Sequence, residues 1–336
     1  MKYFLGIVAA LLLTSCTGQE KSVAKKLRIG FVLATMNEER YTKDKDYFTK
    51  AATAQGAEVE FAACDNKVDL QTAKVEALLA KKIDVLVMQP VNGETAASIV
   101  KLAKKENISV VAYDRLIKNA DIDLYVTQDS FKVGVLQAEA AVKATHGKGN
   151  YILLMGEAGH SVADEITRGV LSVLEKNPQV KVIVKQNHPG WSTSLALATT
   201  ENALTRYKND IQAILANNDG MAMGAVKALS EQKLAGRVFV AGADADLSAI
   251  KAIVRGEQSL TILKGIQPLA EAAVDAALKL AKKEPVKTEG MMANGLKDVP
   301  VLNTPVTPVT KENLDEVIIR SGFHPKLAIY GNDGRG

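Results

Sequence analysis

Short, wholly apolar runs alternate along this chain with longer stretches in which apolar residues recur at helical spacing. Runs at 27–34, 57–64, 83–89, 109–113 and 123–127 predict strands. The stretches between them predict helices ending at Gln55, over 69–82 and over 95–106. A second set follows, with helix 130–145, strand 151–155, a polar loop over 156–164 and helix 165–176 closed ahead of Pro178. It continues through strand 180–185, helix 194–207, strand 213–216, helix 221–232, strand 238–241, helix 247–255 and strand 260–263. Strands and helices in strict alternation are the mark of βαβ units, so the fold class is α/β, with two doubly wound parallel-sheet domains of Rossmann-like type. After the last strand comes an alanine-rich helix over 268–283, which needs a sheet to cover and suggests a return to the first domain. The stretch 290–310 carries three prolines and reads as loop or strand.

Polar side chains stand directly after many of these strands. In parallel α/β sheets, ligand groups lie in the crevice beyond the carboxyl ends of the strands. Asn218, Asp244 and Lys264 follow three successive strands and are expected to converge on one site. Arg40 and Tyr41, Gln89, Asp114 and Arg115, His160 and Ser161, and Trp191 hold comparable places. Any one of them could merely cap a helix, and Asp129, Asp219 and Asp246 are assigned that role. Together they offer guanidinium and ammonium donors, a carboxylate, an amide and the chain's single tryptophan. That set suits a sugar: charged planar groups bridge neighbouring hydroxyls, and an aromatic ring covers the C–H face. No nucleophile stands beside a base and no glycine-rich phosphate loop is present, so binding rather than catalysis is expected, with no cofactor and no metal.

The first sixteen residues depart from this pattern. A short basic start leads into an apolar stretch over 3–13, a signal-peptide length too short to span a bilayer. It ends in Leu13, Thr14, Ser15 and Cys16, which resembles a bacterial lipobox; lipidation of Cys16 would anchor the chain to a membrane, with 17–26 as a polar tether. Cys64, the remaining thiol, ends an apolar run and is read as a buried, unpaired core residue. The 42 basic residues against 38 acidic ones are interleaved along the chain, and no basic block or RNA-type aromatic motif points to nucleic acid. A repressor on this fold would need an N-terminal helix-turn-helix where this chain has a signal sequence.

Several runs, in order, carry a family resemblance: EERYTKDKDYF at 38–48, DVLVMQPVNG at 84–93, AYDRLI at 112–117, GADADLSAIK at 242–251, NGLKDVP at 294–300 and GFH at 322–324. The chain resembles the type I periplasmic sugar-binding protein family, and within it the D-xylose binders. The resemblance implies two lobes, 27–130 with 265–303 and 131–264 with 304–336, joined by a three-crossing hinge with the sugar in the cleft. It implies hydroxyl contacts from Arg40 and Arg115 on the first lobe and from Asn218 and Asp244 on the second, with Lys264 at the hinge. Tyr41 and Trp191 would cover the two faces of the ring. It further implies a monomer that delivers an aldose to an ABC-type sugar permease; a sensor reporting sugar to a membrane receptor or histidine kinase is the alternative. One departure stands out. The family places an Asp–Asn pair in the loop that here is 156–165, where His160 and Ser161 lie nearest, so the sugar itself is left open.

Overall fold

The computed structural model describes residues 26–331. The first set of elements is β1 (Arg28–Leu33), α1 (Glu39–Ala54), β2 (Glu58–Ala63), α2 (Val68–Ala80), β3 (Val85–Met88), α3 (Ala97–Lys105), β4 (Ser109–Tyr113) and β5 (Leu124–Gln128). The second set is α4 (Ser130–Ala144), β6 (Gly149–Met155), α5 (Ser161–Leu174), β7 (Val180–Asn187), α6 (Thr193–Arg206), β8 (Ala213–Ala216), α7 (Asp219–Glu231), β9 (Phe239–Ala241), α8 (Leu247–Arg255) and β10 (Thr261–Lys264). The chain closes with α9 (Ile266–Ala281), β11 (Gly290–Ala293), β12 (Asp298–Thr304), β13 (Val306–Val309), a helical turn over Asp315–Arg320 and α10 (Lys326–Tyr330).

These strands form two separate sheets. The first runs β11-β12-β5-β4-β3-β1-β2, parallel except for the edge strand β11. The second runs β7-β6-β8-β9 in parallel. A parallel bridge from Ala241 to Leu260 attaches β10, which pairs antiparallel with β13. Strands buried on both faces read as continuous apolar runs, because alternate side chains enter different cores. Ile29, Phe31 and Leu33 face a core shared with α1 and α9, whereas Val32 faces the α2–α3 side. In the second lobe Tyr151 and Leu153 meet α4 and α5, while Ile152 and Leu154 meet α6 and α7. The α4–α5 pair is close: a Cβ on Gly134 would come within 1.9 Å of the Ile166 carbonyl oxygen, so only glycine fits there.

The chain passes between lobes three times, after Gln128, after Lys264 and after Thr304. The crossings are tied together. Gln128 Nε2 donates to the Gly265 carbonyl at 3.4 Å and Asp129 N to the Thr304 carbonyl at 3.3 Å. Leu269, Ala270, Ala273 and Val274 of α9 sit in the core of the first lobe, which is why the chain returns.

Two local expectations need correcting. Helix α5 begins at Ser161 rather than 165, because Val162, Ala163 and Ile166 already form its buried face. Helix α9 starts at Ile266, with Pro268 in its first turn, where the missing N–H costs nothing. The proline-bearing stretch forms β11, β12 and β13; Pro300 faces the edge strand β11, and Pro308 lies on β13, which among the described residues pairs with β10 alone. Cys64 is buried and unpaired. The lipobox-like Cys16 lies outside the described residues. Among the described residues, no helix is long and apolar enough to cross a membrane.

Candidate functional site

A cavity lies between the lobes at the carboxyl ends of both sheets. It holds about 560 Å³ free of protein atoms, open solvent at its mouth included. From the first lobe it is lined by Glu38, Arg40, Tyr41, Asp114 and Arg115. From the second come His160, Val162, Trp191, Asn217, Asn218, Asp244 and Asp246, and Lys264 stands at the crossing after β10. Eight of the nine residues expected as ligand contacts therefore line one cavity, the exception being Ser161.

Local backbone geometry aims several of these side chains. Asp114 follows β4 with a left-handed φ of 62°, which Asp tolerates better than most residues. The Asp114 carbonyl accepts from Tyr125 Oη at 2.8 Å and Thr127 Oγ1 at 3.1 Å, clamping that turn. Asp244 and Ala245 have φ of 101° and 55°. Such strain persists only where the surroundings over-determine it, and here buried Asp219 does so. Asp219 Oδ2 accepts from Asp246 N at 2.9 Å and Thr261 Oγ1 at 2.8 Å, and Oδ1 accepts from Gln258 Nε2 at 3.0 Å. His324 Nε2 lies 2.8 Å from the Ala245 carbonyl. Asp219 thus shapes the loop rather than capping α7. The cap is Asn218, whose Oδ1 accepts from Met221 N at 3.0 Å, leaving its Nδ2 for the cavity. Asp129 caps α4 as expected, through Lys132 N, whereas Asp246 precedes α8 without a side-chain cap bond.

Trp191 ends a short 3₁₀ turn, Pro189–Trp191, with φ of 55°. Its indole lies against Gly156: a Cβ there would meet three ring atoms at 2.6 Å, so the tryptophan's place depends on that glycine. The His160 ring stands edge-on to the indole, centroids 5.1 Å apart. Ser161 turns elsewhere, its Oγ accepting from Leu116 N at 3.1 Å across the cleft. This hydroxyl joins the lobes instead of lining the cavity.

The charged groups form one network. Arg40 Nε donates to Asp44 Oδ2 at 3.2 Å, and Nη1 lies 3.4 Å from Asp114 Oδ1. Tyr113 donates its hydroxyl to Asp44 from behind. Gln89 Nε2 donates to Asp114 Oδ2 at 2.8 Å. Arg115 Nη2 donates to the Tyr41 hydroxyl at 2.8 Å, which fixes Tyr41 in the cavity wall. Lys264 Nζ lies 3.5 Å from Asp244 Oδ1. Burial works to raise the Asp114 carboxyl, but Arg40, Lys264 and Arg115 overcome it and hold the group below the usual carboxylate range. Burial also works against the charge on Arg40, and Asp114 and Asp44 reverse that, so its pKa stands well above the ordinary value. Burial, reinforced by Arg115, pushes the His160 imidazole down to about 3, so His160 is neutral here.

Nine buried side-chain atoms among the described residues have no hydrogen-bond partner, and six of them belong to this cavity's lining. They are Arg40 Nη2, Asp114 Oδ1, Arg115 Nε, both ring nitrogens of His160 and Asp244 Oδ1. Leaving a buried polar group unpaired costs about 1–3 kcal/mol, and so many in one place mark groups kept for a ligand. Donors and acceptors are mixed, as hydroxyls require, since each hydroxyl both donates and accepts. No serine, cysteine or threonine lining atom stands beside a base.

Glu38, Asn217 and Asp246 are lining residues that the sequence reading did not single out as contacts, whereas Asp114 was among its strand-end candidates. Asn217 directly follows β8, the same positional signal that marked its neighbour.

The chain is similar to known proteins over most of its length. The family model described as a periplasmic binding protein domain matches residues 29–285. The chain is 40% identical over 329 residues to the D-xylose-binding periplasmic protein of Haemophilus influenzae, covering 97% of this chain and 98% of that protein. It is 40% identical to the protein of the same description from Escherichia coli, covering 94% and 97%. A solved carbohydrate transporter solute-binding protein from Chloroflexus aurantiacus, in complex with D-glucose, superposes with a TM-score of 0.83 at 30% identity, covering 90% of this chain and 98% of that one.

Proposed function

The chain belongs to the periplasmic binding protein family, and from that premise we propose that it captures a neutral aldose, D-xylose or a related sugar, for an ABC-type sugar permease. The observation that carries this reading is the set of six buried polar atoms without a hydrogen bond, two of them in ion pairs, gathered in one inter-lobe cavity. Ring hydroxyls complete them: Arg40, Arg115 and Lys264 donate, Asp114 and Asp244 accept, and the Asn218 amide donates. Trp191 and Tyr41 cover the ring's apolar faces. Neutral His160 can donate from one nitrogen and accept at the other, in the place where the family pattern has an acid and an amide. The relatives named as D-xylose binders support this sugar class.

The binding step is hinge closure about the three crossings, which brings the two lobes together on the ligand. A ligand held from both lobes interacts fully only with the closed form, and that differential affinity drives closure. The protein works as a monomer, tethered to the membrane by a lipid on Cys16. Titration calorimetry of the purified protein against pentoses and hexoses tests the function. At least one aldose is expected to bind with a dissociation constant of about 10 μM or tighter. Failure of every aldose to bind would overturn the reading.

A further inference from the structure

Beside the ring cavity lies a groove whose lining includes Asn66, Asn92 and Glu157, with Gly93 and Gly159. Glu38, Arg115, His160 and Trp191 line both spaces, so cavity and groove share a wall. The groove has about 1090 Å³ free of protein atoms, open water at its mouth included, against about 560 Å³ for the cavity. It stays open although the lobes already touch at its border. Lys118 Nζ donates to the Gly159 carbonyl at 3.3 Å, and Leu116 N donates to Ser161 Oγ at 3.1 Å. The space is therefore not a gap that further closure of those contacts would fill.

The groove's chemistry suits hydroxyls. Asn92 Oδ1 accepts from Glu94 N and Thr95 N, both at 3.0 Å, leaving its Nδ2 as a donor. Arg115 Nε and the two ring nitrogens of His160, buried and without partners, belong to residues on the shared wall. In the lining Arg115 is set against the carboxylates of Glu38 and Glu157, with Lys118 engaged at the border, so a neutral occupant is favoured over an anionic one.

We propose that this groove is a second subsite, which takes a neutral, hydroxyl-bearing group attached through oxygen to the bound ring. The ligand range would then extend from the free monosaccharide to its O-glycosides, disaccharides among them. This rests on the ring cavity holding a monosaccharide as proposed above.

The test is calorimetry with D-xylose against xylobiose, and with D-glucose against cellobiose and maltose. At least one disaccharide is expected to bind within about tenfold of its own monosaccharide. The Asn66→Leu and Glu157→Leu variants should weaken that disaccharide by about fivefold while leaving the monosaccharide within about twofold. The proposal is overturned if every disaccharide binds more than about tenfold weaker than its monosaccharide, or if the two variants change both ligands alike or neither. Failure of the monosaccharides as well would count against the sugar-binding function itself, which separates the two readings.

Discussion

Lys43 and Phe323 join the two lobes across the cleft. Lys43 Nζ donates to the Phe323 carbonyl at 3.2 Å and lies 3.9 Å from the centroid of its ring. The contact reaches from α1 of the first lobe to the segment after the helical turn Asp315–Arg320. The next residue, His324, holds the Ala245 carbonyl beside Asp244. This closure contact thus sits one residue from a support of the ligand loop, and Leu116–Ser161 joins the lobes elsewhere in the cleft.

Lys43→Ala should therefore loosen the closed form without touching the cavity. A cation–π contact with a hydrogen bond contributes about 1–2 kcal/mol, so sugar affinity should fall about tenfold, chiefly through faster release. Stopped-flow release rates check this. An unchanged rate in the variant would mean that the contact does not hold the closed state.

Affinity should depend on pH through His160. Its pKa is lowered in the closed form to about 3 from the ordinary 6.5, by burial first and then by Arg115, with Lys264 and Lys118 in the same sense and Asp114 opposing. A depressed histidine favours closure only while neutral. The contribution is complete above the ordinary value of 6.5 and is lost as the pH falls below it, by about tenfold in affinity per unit. Glu38 is shifted upward, by burial first and against Arg115, so it opposes this trend near its own range. Calorimetry between about pH 5 and 8 should show weakening on the acid side, and His160→Gln should flatten the profile. A wild-type profile that is already flat would contradict the assignment.

Trp191 should carry a large share of the binding energy. Trp191→Ala is expected to weaken sugar binding by roughly 1–3 kcal/mol, the range for burying a large apolar side chain. Gly156→Ala should do similar damage indirectly, since the added methyl group occupies the place of the indole. As the only tryptophan in the chain, Trp191 should also report binding by fluorescence. Unchanged emission at saturation, with normal affinity in both variants, would make it structural.

Cys16 is expected to be the lipid-bearing N-terminus of the mature protein, from the Leu-Thr-Ser-Cys run that ends the apolar start. Mass spectrometry of membrane-extracted protein checks it. An unmodified Cys16, or a mature chain beginning elsewhere, would refute it.

Much of this site was legible because parallel sheets present their ligand groups at strand ends, and strand ends are visible as polar residues after apolar runs. Asn218, Asp244 and Lys264 meet for that reason. What stayed hidden depends on partners distant in sequence. Asn218 and Asp219 are equally plausible caps by type, and only Gln258 and Thr261, some forty positions on, draw Asp219 into the interior. Ser161 was misread because its partner is Leu116 on the other lobe, and the Lys43–Phe323 contact spans 280 positions. The start of α5 was missed because the polar residues His160 and Ser161 obscured the buried face that Val162 opens.

The central claim is that one ligand is shared by two lobes that close upon it. Small-angle scattering of the purified protein, with and without a saturating sugar identified by calorimetry, tests it most directly. The account expects the radius of gyration to fall on binding, as the open population moves to the closed form. An unchanged radius at full saturation would contradict it.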